Sequence, residues 1–146
     1  MTASVYERIA EAVKTALTGQ VSGISLVERD REDLVARDEG DSINITTDAA
    51  NTKPFGEAVD DNELTIDVHI NVRGDPFETR ADAYAKQVHG LVTGRNYAGD
   101  GLKLARMPRL VQQDWTGEAG DETPGTRTMK YAFRFLTLAA DISAQP

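Results

Sequence analysis

The side chains that most often carry out chemistry in proteins are sparse in this sequence. Its 146 residues include two histidines, His69 and His89, and no cysteine. The lack of cysteine excludes a disulfide framework, a thiolate nucleophile and a sulfur-ligated zinc. Nothing in the spacing makes the two histidines converge. We therefore interpret them as ordinary surface or helix-end residues, with His89 placed to interact with a helix C-terminus, and predict no catalytic residue.

Acidic side chains are the other group that could do chemistry, because clustered carboxylates can bind a hard cation. They concentrate at 28–33, 38–41, 60–63 and 118–122, and none of these clusters follows a calcium-loop pattern. We interpret them as solvated loops, with a metal site or a protein contact as the alternatives. The glycines lack the spacing of a nucleotide-binding loop, so the sequence predicts no metal and no cofactor.

Charge, apolar content and length exclude further classes of protein. The chain has 24 acidic and 16 basic side chains, and this excess of acid disfavours the phosphate pairing that conventional DNA-binding proteins use. We find no apolar run of about 18 residues and no signal peptide, so we expect no membrane partner and a protein made in a cytoplasm. The length fits a single globular domain over 1–146.

Two local features suggest contacts with other protein chains. A strip of arginines mixed with acids begins near residue 29, and such a strip suits pairing with a complementary strip on another copy. The only tryptophan lies beside an aspartate at the edge of a turn-rich loop, and tryptophan is favoured at interfaces. The alternative is that this tryptophan covers the edge of the sheet. The candidate interface residues are Arg29, Arg31, Asp33, Arg37, Asp114 and Trp115.

Hydrophobic periodicity predicts two helices. Apolar residues recur on one face over 4–18, where Ser4 and Glu7 fit a capping box and Gly19 marks the end. A second helix is predicted to begin with Asp75 as its N-cap and Pro76 at its first position, and to end at Gly94. Its apolar stripe consists of Phe77, Ala81, Tyr84, Ala85, Val88, Leu91 and Val92.

Alternating and β-branched residues predict the strands. The clearest is 63–73, where Leu64 begins an apolar face that alternates with polar residues. The other predicted strands are 24–27, 42–47, 101–107 with a continuation to 113, and 128–139. Flexible loops are predicted at about 29–41, 50–62 and 114–126. This order of elements predicts an α+β fold, a mostly antiparallel sheet with two α-helices packed on one face.

Taken together, these features resemble the tail terminator family of long-tailed phages, also called minor tail proteins of the lambda type. The resemblance covers nearly the whole chain, although no one motif in it is catalytic or highly specific. It is carried by the N-terminal helix with the charged 29–32, the strand ending at 68–75, the helix with Ala81-Asp82 and Val88-His89, and the closing strands with 113–115 and 125–135.

The resemblance implies a structural protein and not an enzyme. Members of the family form a hexameric ring that binds the end of the tail tube, stops its polymerisation and offers a surface to the head connector. The expected partners are therefore other copies of the chain, the tail-tube protein and a head-completion protein, with a monomer in isolation also compatible. Genomic DNA would pass through the lumen without specific binding, and the protein would be part of the virion tail, assembled in the host bacterial cytoplasm.

Two other functions fit the same sequence features. One is a head-tail connector or tail completion protein of the neck, which sequence patterns separate weakly from a terminator. The other is an enzyme or a small-ligand-binding domain on the same α+β scaffold, because a fold does not fix a function. This second alternative would need a pocket with converging titratable groups.

Overall fold

A computed structural model of the chain describes residues 3–30, 40–74, 76–116 and 125–146. The helices in these ranges are α1 (Val5–Leu17), α2 (Phe77–Thr93) and a short 3₁₀ helix (Tyr97–Asp100). The strands are β1 (Leu26–Arg29), β2 (Ser42–Pro54), β3 (Val59–Val72), β4 (Arg109–Thr116) and β5 (Gly125–Leu138). They form a five-stranded sheet in the order β1-β2-β3-β5-β4. Only the β1–β2 pair is parallel, which confirms the predicted mostly antiparallel α+β fold.

Helix α1 forms where the periodicity predicts it. The Ser4 hydroxyl accepts a hydrogen bond from the Glu7 backbone N–H at 3.2 Å, so one of the unpaired donors of the first turn is satisfied. Gly19 follows the helix with a φ of +72°, the left-handed conformation that glycine adopts at little cost. Within the described ranges, no helix is long and apolar enough to cross a membrane.

Helix α2 begins one residue later than predicted. Pro76 is the residue before the helix and not its first helical residue, and it makes no side-chain capping bond. The predicted N-cap, Asp75, lies outside the described residues. The apolar stripe is confirmed, because Ala81, Tyr84, Ala85, Val88 and Val92 are buried, and Gly94 follows the helix.

One face of the sheet carries the core. On β3 the alternation is confirmed, with Leu64, Ile66, Val68, Ile70 and Val72 all buried. They lie opposite the predicted face of β5, which consists of Met129, Tyr131, Phe133 and Phe135. Tyr6 of α1 packs edge-on against Phe135, and His89 of α2 stacks on Tyr131. Both α-helices therefore cover the same face, as predicted.

The prediction of a flexible loop at 50–62 is wrong. Strand β2 continues to Pro54 and β3 begins at Val59, so the two strands form a hairpin closed by a turn at 55–58. Residues 47–58 are all exposed, which means that no alternation of buried and polar side chains marks the strand in the sequence. The pairing with β3 holds it instead. Of the predicted loop at 29–41, Arg29 belongs to β1, and 31–39 lies outside the described residues.

The predicted strand at 101–107 is also wrong, because strand β4 begins only at Arg109. Gly101 has a φ of +77° after the 3₁₀ helix, so the chain turns there. Leu102 is buried beside this turn and does not belong to a strand. Its burial accounts for the apolar pattern that wrongly predicted a strand at 101–107. The prediction of a loop at 114–126 is wrong at both ends, since β4 reaches Thr116 and β5 begins at Gly125, and 117–124 lies outside the described residues.

Two close contacts fix the ends of strands against α2. Asp41 is buried before β2, and its carboxylate accepts hydrogen bonds from the Tyr84 hydroxyl at 2.6 Å, from the Arg73 N–H at 3.1 Å and from Arg80. At the start of β5, Gly125 lies under the ring of Phe77. A Cβ atom at Gly125 would approach that ring to 2.6 Å, so only glycine fits without a shift.

Candidate functional site

Arg29, the first of the predicted interface residues, contacts its own chain. Its guanidinium donates hydrogen bonds to Glu7 at 2.5 and 3.0 Å and to Glu11 at 2.6 Å, and its side chain is only 13% exposed. The bond from Arg29 holds the pKa of the Glu7 carboxyl below its ordinary value. Arg29 therefore ties β1 to α1, and a contact with another copy stays a prediction. Arg31, Asp33 and Arg37 lie outside the described residues.

Trp115 and Asp114 lie on β4, the edge strand, and not in the loop predicted at 114–126. The Trp115 ring is 53% exposed, and the Arg127 guanidinium lies 4.9 Å from its centre. Arg127 is held in turn by Gln113 at 2.7 Å and by Asp82 of α2 at 3.0 Å. Trp115 thus covers Arg127 with one side of its ring, while much of the indole faces solvent. The Asp114 carboxylate accepts a hydrogen bond from Gln112 at 2.8 Å.

The sheet has two open edges at opposite ends. Strand β4 pairs only with β5 among the described strands, and exposes Val111 where the pairing shifts register. On the other side, β1 pairs with β2 only at Ser42–Ile45, so that 46–54 of β2 has no strand neighbour beyond β3 in the described chain. Open edges present unpaired N–H and C=O groups, which makes them templates for another chain.

The face of the sheet opposite the helices is polar. Along β3 its middle carries His69 and Asp67, and across from them β5 carries Thr128 and Lys130. Lys130 reaches over to Asp48 of β2 at 2.8 Å. Within the described ranges no helix covers this face, which we call the open face.

His69 lies half-buried on the open face. Its two ring nitrogens contact the hydroxyls of Thr46 at 2.9 Å and Thr128 at 2.8 Å. Burial lowers the pKa of His69 below its ordinary value, which favours the neutral ring at neutral pH. A neutral imidazole has one donor and one acceptor nitrogen, and the two threonine hydroxyls can serve both. His69 therefore links three strands and does not serve as a free acid or base.

Three charged groups beside His69 are coupled to one another. Burial raises the pKa of Asp67, whose Oδ1 accepts no hydrogen bond from the described residues. The hydrogen bond from Lys130 lowers the pKa of Asp48, and the same bond raises the pKa of Lys130. These shifts follow from burial and pairing, and the groups line a sheet face, not a pocket. They indicate a surface on which Lys130 pairs with Asp48 beside a second, half-buried carboxylate.

The other histidine lies on the opposite face of the sheet. The His89 ring stacks on Tyr131 at 5.9 Å and its Nδ1 lies 3.1 Å from the Tyr131 hydroxyl, so it packs against the sheet and not at the helix C-terminus. The sheet separates His89 from His69. The described residues also include no group of three or more His, Asp or Glu placed to hold a metal ion.

Sequence reasoning missed the turn at 55–58 and the exposed edge that leads to it. Phe55 is 61% exposed at this turn, and Met107 is 65% exposed just before β4. The sequence predictions for both residues are wrong, because they place Phe55 in a flexible loop and Met107 in a strand. Pro54-Phe55-Gly56 was the available signal, because a large apolar residue between proline and glycine indicates a turn that presents a side chain.

Neither a scan against protein-family models nor a search of curated proteins finds a match to this chain. The arrangement of its edges and faces is therefore the basis for assigning a function.

Proposed function

We propose that this chain is a structural phage tail protein, a tail terminator that assembles into a ring on the end of the tail tube. The observation that carries this proposal is the pair of open edges at opposite ends of one sheet. A surface that matches a different surface on the next copy makes a heterologous contact, and such contacts close into a ring when the rotation fits. The family resemblance of the sequence makes the ring a hexamer.

The directions of the edge strands support this assembly. Neighbouring strands are antiparallel from β2 through β3 and β5 to β4, so β2 and β4 run in opposite directions. If the sheet of one copy continues into the next, β4 lies antiparallel to β2, the pairing that is slightly more stable per residue. The lengths also agree, because β4 has eight residues and 46–54 of β2 offers a run of similar length.

The open face suits the lumen of such a ring. A closed sheet has more room on its outside, where the bulky helices α1 and α2 would lie, and the open face would then line the channel. Lys130 on this face is paired with Asp48 among the described residues, so its cation is not free to hold a phosphate backbone. Affinity for DNA comes mainly from unpaired basic side chains, and a channel without them lets DNA slide.

Assembly of the purified chain with its tail-tube protein tests the proposal. Light scattering coupled to size exclusion, followed by negative-stain imaging, would show rings, alone or on tube ends, and a shorter distribution of tube lengths. Val111→Lys places a charge on the open edge of β4 and should abolish the rings. Ile142→Lys is the matched control, because Ile142 is similarly exposed but lies outside both edge strands.

The outcomes separate the candidate functions. A strict monomer that leaves tube lengths unchanged would contradict the terminator. A ring that ignores the tube but binds the portal side would instead favour a head-tail connector. If Ile142→Lys abolished the rings as completely as Val111→Lys, pairing through the edge of β4 would be wrong.

A further inference from the structure

A shallow groove lies between the end of α2 and the start of β4. Its volume is about 530 Å³. Buried apolar side chains, among them Tyr97 and Leu102, form its floor, and the exposed Met107 and basic residues also line it. Arg95 is paired with Asp100 at 2.8 Å, whereas Arg106 forms no ion pair with any described residue. The groove therefore combines an apolar floor with an available positive charge.

The charge around this groove is opposite to that of the chain as a whole. Residues 101–113 contain three basic side chains and no acidic one, in a chain with a net charge of −8. The reverse holds for 55–63, which contains four acidic side chains and no basic one. These two segments are thus complementary in charge, and each displays a large exposed apolar side chain, Met107 in the first and Phe55 in the second.

The turn at 55–58 presents Phe55 in a fixed position. The Phe55 N–H donates a hydrogen bond to the Val59 carbonyl at 2.8 Å, which closes the turn. Gly56 has a φ of +90°, a conformation that other residues rarely adopt, so the turn needs glycine there. An aromatic ring on a closed turn loses little conformational freedom when it binds, which is typical of the side chains that anchor interfaces.

The groove and the turn lie toward the same end of the sheet. The Ala105 N–H donates to the Arg134 carbonyl at 2.7 Å, and Arg134 is level with Glu63 and Asn51. The chain segment before β4 therefore runs beside the part of the sheet that leads to the turn. If β4 of one copy fills the open run 46–54 on β2 of the next copy, antiparallel pairing brings Arg109 near Lys53 and the residues before it near Phe55.

We propose that the 55–58 turn of one copy binds in the groove of its neighbour, with Phe55 on the apolar floor and Glu57 facing Arg106. This contact rests on the proposed ring. It makes a second copy of the chain the partner of both the turn and the groove. It also sets the direction of assembly, because each copy offers a turn on one side and a groove on the other.

Engineered cysteines test the contact directly, because the natural chain has none. Phe55→Cys and Met107→Cys are made in separate chains, mixed under assembly conditions and oxidised, so that a bond joining the two variants must be intermolecular. Mass spectrometry of the digested dimer should identify the peptide pair 55–107. Phe55→Cys mixed with Ile142→Cys is the control, and it should give at least tenfold less of its own pair.

The amount of the 55–107 cross-link is interpreted together with the oligomeric state of the same sample. Rings with no more 55–107 product than the control would overturn the turn-in-groove contact while leaving the ring in place. Monomers under every condition, without cross-link, would overturn both proposals. The 55–107 product in ring fractions supports the contact.

Charge reversal gives a second test that does not depend on oxidation. Arg106→Glu and Glu57→Arg should each weaken assembly, by roughly tenfold in the concentration that gives half-maximal rings. The double variant restores an opposite-charge pair at every contact and should recover most of that loss. Circular dichroism checks that all three variants are folded. Equal and additive losses in the double variant would overturn the pairing of Glu57 with Arg106.

Discussion

The two faces of the sheet are built in different ways. On the helix-covered face, β5 carries the fully buried rings of Tyr131, Phe133 and Phe135. Phe135 contacts a side chain of α1, Tyr131 one of α2, and Phe133 one of the 3₁₀ helix. On the open face, the same strand β5 carries Thr128 and Lys130, whose partners are polar side chains of neighbouring strands. One strand thus serves a packed core on one side and a hydrogen-bonded surface on the other.

This difference separates stability from assembly. Apolar burial is the main favourable term in folding, so the helix-covered face should account for most of the stability of the chain. Hydrogen bonds exposed to water contribute less, because they replace bonds to solvent. Substitutions on the open face and at the edges should therefore leave the fold intact and alter contacts with other chains. The predictions that follow run from the largest expected effect on stability to the smallest.

Truncation of the core should produce the largest loss. Phe133→Ala removes a fully buried ring, and the free energy of unfolding should fall by about 3–5 kcal/mol. Thr128→Ala, on the open face of the same strand, should lower it by about 1 kcal/mol or less. Urea unfolding followed by circular dichroism measures both. Similar losses in the two variants would contradict the division of labour between the faces.

The buried carboxylate of Asp41 should come next. Asp41→Ala leaves Tyr84, Arg80 and the Arg73 N–H without their acceptor, and we expect the free energy of unfolding to fall by about 2–3 kcal/mol. Glu57→Ala, at the exposed turn, is the matched control and should change it by less than about 0.5 kcal/mol. Urea unfolding distinguishes them, and an Asp41→Ala chain as stable as the natural one would show that these bonds add nothing net.

A smaller effect is expected from His69 as the pH changes. Because its pKa in the folded chain is lowered, the unfolded chain binds the proton more tightly, and stability falls as the pH drops through the ordinary histidine range near 6.5. His69→Gln should lose this part of the dependence between pH 7.5 and 5.5, as measured by the midpoint of thermal unfolding. Above pH 7.5 the two curves should run parallel. Identical slopes throughout would rule out the burial effect on His69.

The smallest effect on stability should accompany a clear effect on assembly. Trp115→Ala removes a half-exposed ring and its contact with Arg127, which should lower the free energy of unfolding by less than about 1 kcal/mol. We expect it to weaken ring formation at the edge of β4 in light scattering. Ile142→Ala is the control, since Ile142 has the same 53% exposure. Unchanged assembly in both variants would assign Trp115 only to covering Arg127.

The sequence predicts best those elements whose burial follows a period. Helix α1, the stripe of α2 and the alternation from Leu64 to Val72 are all confirmed, because each buries one face and exposes the other. The far half of β2 could not be predicted in this way. Its residues are exposed on both faces, so the sequence shows no hydrophobic periodicity there. Hydrogen bonds to β3 hold this part of the strand.

The candidate site was predicted in part. Trp115 is exposed at a sheet edge, which agrees with one of the two interpretations of its sequence position, and its contact with another chain stays a prediction. The pairing of Arg29 with Glu7 and Glu11 of its own chain, by contrast, was not predicted, and its contact with another chain stays a prediction. Pairs between residues far apart in the chain depend on how the helix packs, and local charge patterns do not contain that information.

The contact between Gly125 and Phe77 has a consequence for related sequences. With a Cβ at Gly125 only 2.6 Å from the Phe77 ring, the two positions share one volume that a single large side chain already fills. A relative with alanine or a larger residue at position 125 should therefore carry a smaller residue at position 77. We expect these two sites, 48 positions apart in the chain, to vary together wherever homologues are aligned.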